Sequence, residues 1–146
     1  MKKKDILYLN KRHQVIVEDL LKDVKEAMYY ATPSKVDGKY KDFLGILDSI
    51  YLHSNIFHDT TLKHENNDGV VAEFIFLIPN MLFYTSVGFL TGIKTDDNTD
   101  NIISHIEEVG GLCENATGEL ADILIDITET DELYNEIVEL GKVEQN

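Results

Sequence analysis

Carboxylates are the residues of this chain best suited to chemistry. Glu107-Glu108 and Glu119-x-x-Asp122, with Asp126 one turn on, fall in one stretch, NIISHIEEVGGLCENATGELADILIDI (residues 101–127). Carboxylates gathered at one place repel unless a hard cation neutralises them, and Mg²⁺ takes carboxylate and phosphate oxygens together. The plain alternative is a solvated acidic face, the usual outcome of a helical charge run.

The backbone of this stretch decides between them. Ile102, Ile106, Val109, Cys113, Ala116, Leu120, Ile123 and Ile127 recur at alternating steps of four and three, which one long amphipathic helix would satisfy. At about 100° per residue, Glu108, Asn115, Glu119, Asp122 and Asp126 then form a separate acidic stripe. Gly110, Gly111 and Gly118 oppose a single helix, since each costs about 1 kcal/mol relative to Ala inside one. Gly118 suits a helix C-terminus, so the expectation is a break over 115–118 and two antiparallel helices. In that hairpin Asp122 faces Gly111 and Asp126 faces the turn bearing Glu107 and Glu108, so that the acids meet across one interface.

The wording IEEVGGLCENATGELADILIDI resembles the MazG-like all-α nucleoside triphosphate pyrophosphohydrolases. In that family a helix with Glu-Glu-x-x-Glu packs against one with Glu-x-x-Asp. The resemblance implies Mg²⁺ held by Glu107, Glu108, Glu119 and Asp122, a nucleotide as substrate, and water attack with pyrophosphate leaving. The family's third glutamate falls at Gly111, and Asp126 is the candidate replacement. A second register takes AEFIFLIPNML (residues 72–82) as the first motif helix and keeps Glu119-x-x-Asp122 as the second. There the carboxylates expected near Asn80, Met81 and Tyr84 are absent. A member that binds nucleotide without cleaving it also fits.

Other reactive side chains carry less. His53, His58 and His64 are spaced by five and six, which matches no zinc pattern. His58-Asp59, with His13 upstream, resembles the paired ligands of HD-type phosphohydrolases, but the surrounding residues do not follow. Exposed loop histidines are the expectation. Cys113 sits on an apolar stripe with no activating base nearby, which predicts a buried, inert thiol.

The element that must position all of these is VVAEFIFLIPNMLFYTSVGFLTGI, residues 70–93, whose one charge is Glu73. A run apolar on every face predicts a helix buried nearly all round. Its length also meets the requirement for a membrane span, but Pro79-Asn80 in mid-run and the lack of basic flanks favour the core of a soluble protein. Pro79 removes one backbone donor there. Around it, helices are expected from about Asp5 to Ala31, Tyr40 to Phe57 and Asp131 to Leu140, with polar loops over 34–39, 59–69 and 95–100. The chain thus reads as a single all-α domain, residues 1–146, of five or six helices.

Charge bounds the partners. Residues 1–94 carry 12 basic and 12 acidic side chains, whereas residues 95–146 carry 15 acidic ones against Lys142 alone. Direct nucleic-acid binding is not expected of that surface, because phosphate binding needs Lys and Arg. A nucleotide held through a cation, or a basic protein surface, is the natural complement. The second case describes a non-enzymatic interaction protein, such as an inhibitor imitating nucleic-acid charge. A homo-oligomer stays open. With one cysteine and no hydrophobic region behind the N-terminal lysines, the expected location is the cytoplasm.

Overall fold

The first helix forms because apolar residues return to one face at every turn. In the computed structural model, which describes residues 1–93 and 99–129, α1 runs Lys3–Ala31 and buries Ile6, Leu9, Val17, Leu20, Val24 and Met28. It stops where Pro33 discourages helix in the residue before it. Thr32 closes the end, donating its hydroxyl to the Met28 carbonyl at 2.6 Å.

Helix α2, Gly38–Lys63, starts at Asp37, whose carboxylate accepts the Lys39 N–H at 3.0 Å. It continues a turn and a half past Phe57, where the sequence reads as loop. Thr61 there is buried against α1 rather than exposed, its hydroxyl 3.0 Å from Asn10 Oδ1. Helix α3, Asp68–Gly92, is capped by Asn67, whose side chain accepts the Val70 N–H at 3.2 Å. Helix α4 is Thr99–Glu129. The described residues thus form four long helices and no strand.

Neighbouring helices pack in chain order and close the ring, α4 against α1. Across the centre α1 touches α3, while α2 and α4 stay apart. Antiparallel pairing of α2 with α3 is fixed by aromatic contacts. Phe43 stacks on Phe89 at 4.3 Å between ring centres, and Phe57 lies 5.3 Å from Phe74.

Three expectations need correction. The break over 115–118 does not form, and α4 is one helix. None of its glycines adopts left-handed backbone, and Gly110 sits where α3 comes close, a Cβ there meeting the Phe83 ring at 3.4 Å. Three glycines cost about 3 kcal/mol in all. Burying Val109, Cys113, Ala116, Leu120 and Ile127 on one stripe outweighs that, at about 1.5–3 kcal/mol for each large side chain.

Among the described residues there are accordingly four helices, where five or six were expected of the whole chain, and the expected helix 131–140 lies outside those residues. Finally, α3 is not buried all round. It is long and apolar enough to cross a membrane, yet only 33% of its most apolar window is buried. In a four-helix bundle each helix keeps one face outward, and α3 is no exception.

Candidate functional site

With α4 continuous, the proposed metal ligands share one helix instead of facing each other across two. Glu108 and Glu119 are eleven residues apart, roughly 16 Å along the axis. Ligands of one Mg²⁺ each lie about 2.1 Å from the ion, so the two ends cannot share it. Glu119 and Asp122, one turn apart, are brought together, while Asp126 lies a further turn along. Among the described residues no three His, Cys, Asp or Glu side chains converge as a metal-binding group. The donor set does not fit the cage the resemblance implies.

What α4 does build is a face. Glu107, Glu108, Glu114, Glu119, Asp122 and Asp126 are all exposed. At helical spacing they occupy an arc of about 140°, opposite the line of Val109, Cys113, Ala116 and Leu120. From Glu107 to Asp126 the rise is about 28 Å, or roughly one carboxylate per 5 Å. A single DNA strand carries one phosphate per 3.4 Å, so the linear charge density is comparable though lower. Residues 99–129 hold eight acids and no Lys or Arg. The nearest to a cation is His105, whose Nδ1 lies 3.8 Å from Glu108 Oε2.

The histidines form the second cluster, one the sequence does not reveal. His13 is fully buried and His58 partly so, both in helices and not in loops. His13 Nε2 lies 3.1 Å from the Ile75 carbonyl, and His13 Nδ1 lies 2.7 Å from His58 Nε2. A carbonyl only accepts, so His13 Nε2 carries the proton and donates it. Neutral His13 then accepts at Nδ1, which makes His58 Nε2 the donor. Asn10 Nδ2 donates to the His58 carbonyl at 3.2 Å, and the Thr61 hydroxyl lies 3.0 Å from Asn10 Oδ1. Burial first, then the neighbouring His58, pushes the His13 imidazole down to about 4. Burial also lowers His58, against the pull of Asp59. The two rings bond to each other instead of converging on a shared metal. Their work is to join α1, α2 and α3.

Cys113 is buried as expected, and burial lifts its thiol to about 11, far from a nucleophile at neutral pH. A cleft of about 580 Å³ beside the α1–α2 connection is lined by Tyr40, Phe43 and Phe89 among others. It contains none of the carboxylates singled out above. No protein-family model, curated protein or solved structure matches the chain.

Proposed function

We propose that this chain is a non-enzymatic binding protein whose α4 face docks onto a basic protein surface. The observation that carries the reading is the acidic arc of α4, six exposed carboxylates over about 28 Å with no Lys or Arg among them. Such a surface has few uses besides electrostatic complementarity, which steers encounter and selects partners. Imitation of nucleic-acid charge is the sharper form of the same idea, supported by the spacing of the acids. The test is a pull-down from a host lysate at low and high salt. Specific basic proteins should be retained at low salt and lost as salt rises, because exposed charges are screened within about 8 Å at 0.15 M.

One observation favours a second reading, nucleotide binding in the MazG-like manner. Helix α3 packs along α4, as the register pairing residues 72–82 with Glu119-x-x-Asp122 requires. Only Glu119 and Asp122 would then reach a Mg²⁺-nucleotide. Calorimetric titration with Mg²⁺ and common nucleoside triphosphates separates the two readings, since charge docking predicts no nucleotide-dependent heat.

A further inference from the structure

We propose that the cleft beside the α1–α2 connection binds a small organic amine, its flat apolar body against aromatic rings and its ammonium group toward Asp42. This inference stands apart from the docking function of α4. The cleft, about 580 Å³, lies at the end of the bundle where α1 and α3 finish and α2 starts. That volume falls in the usual range for a small-molecule site, about 300–1,000 Å³. Helix α4 starts at the same end and runs about 45 Å away from it to Glu129.

Its apolar wall is part of the packed fold. Tyr40 and Phe43 stand in the first two turns of α2, and both are buried. Phe43 stacks on Phe89 of α3 at 4.3 Å, and Tyr40 lies 6.3 Å from the same ring. Ile46, 51% exposed, extends the wall outward. Rings so held offer contact area to a flat apolar body, and their electron-rich faces attract a cation.

Charge also chooses the sign of the ligand. Asp37 and Asp42 line the cleft against Lys39 alone. Asp37 is occupied as the cap of α2, accepting the Lys39 N–H at 3.0 Å. Asp42 makes no hydrogen bond or ion pair with any described residue, so its carboxylate can meet an ammonium group. A hydroxyl is open as well. Ser86 and Thr91 on α3 turn theirs back to the carbonyls of Leu82 and Val87, whereas Thr85, in the cleft, bonds to no described residue. An anion would meet two acids offset by one lysine, in a chain of net charge −14.

The test is amide NMR of the full chain in about 0.15 M salt, titrated with tryptamine, tryptophol and indole-3-propionate, one ring system carrying a cation, a neutral group or an anion. Tryptamine should shift the amides around Phe43 and Phe89 to saturation, and bind about tenfold more tightly than either of the others. Asp42→Asn should narrow that gap about threefold, while Asp19→Asn, on the exposed side of α1, leaves it unchanged. Equal binding of tryptamine and tryptophol, tighter binding of the acid, or no saturating shift at the cleft would overturn the proposal. So would a gap untouched by Asp42→Asn, or an equal loss in Asp19→Asn. Tryptamine shifts centred on α4 would overturn it too, because net charge alone would then account for them.

Discussion

His13 donates its Nε2 proton to the Ile75 carbonyl at 3.1 Å, and Ile75 is the residue four before Pro79. In an unbroken helix that carbonyl would accept the N–H of residue 79, and proline has none. The imidazole on α1 replaces the donor that α3 lacks. This repair explains why a histidine lies fully buried in the core, and why α3 carries a proline without ending there. His58 completes the chain of donors from α2, so three helices are tied at one point.

The relationship predicts coupling. His13→Leu should cost about 2–4 kcal/mol, because it strands the Ile75 carbonyl and the His58 N–H together. In a Pro79→Ala background residue 79 supplies its own N–H, and the same change should cost at least about 1 kcal/mol less. Urea unfolding of the four proteins closes the cycle. Strict additivity would show that His13 does not serve the carbonyl freed by proline.

A pH dependence follows from the same group. His13 titrates near 4 when folded and near 6.5 when unfolded. Between those values the unfolded chain binds the extra proton, so stability rises with pH there. The contribution is fully present above about 6.5 and is lost as pH falls through about 4, amounting to about 3 kcal/mol. Between pH 7 and pH 4 the wild type should lose that much more stability than His13→Gln, measured by urea midpoints. Equal losses would mean that His13 is protonated in the folded protein.

Continuity of α4 makes the opposite prediction from a hairpin. Gly111 and Gly118 have right-handed backbone, and a Cβ on either meets nothing within 4 Å. Alanine at each should therefore stabilise the fold by up to about 1 kcal/mol. A turn over 115–118 with Gly118 in left-handed backbone would instead make Gly118→Ala destabilising. Thermal melts distinguish the two.

The apolar phase from Ile102 to Ile127 showed a single helix open to the sequence, and the burial of Val109, Cys113, Ala116 and Leu120 follows it. What misled was propensity. Glycine penalties are local and visible, whereas the apolar stripe that outweighs them gains its value from α1 and α3, which no window of sequence contains. The histidine cluster was hidden for the same reason. His13 and His58 are 45 residues apart, and their burial depends on a proline in a third helix. Pro79 announced a missing donor, but nothing local to it named the residue that would supply one. The half-exposed face of α3 was hidden by composition, since a run this apolar reads as enclosed until its neighbours are counted. The acidic stripe of α4 was legible only in the single-helix alternative, where helical spacing places Glu108, Glu119, Asp122 and Asp126 together, and the expected break over 115–118 would have split it.

The central claim is that the α4 face, and not net charge in general, binds the partner. The direct measurement is salt-dependent capture of host proteins by three forms of the chain. One is wild type, one carries Glu108→Gln, Glu119→Gln and Asp126→Asn on α4, and one carries Asp19→Asn, Asp23→Asn and Glu26→Gln on the exposed side of α1. Both variants lose three negative charges at exposed positions. Docking through α4 predicts that the first variant loses the proteins captured at low salt, at least tenfold, while the second retains them. Equal capture by all three forms, or equal loss in both variants, would contradict it.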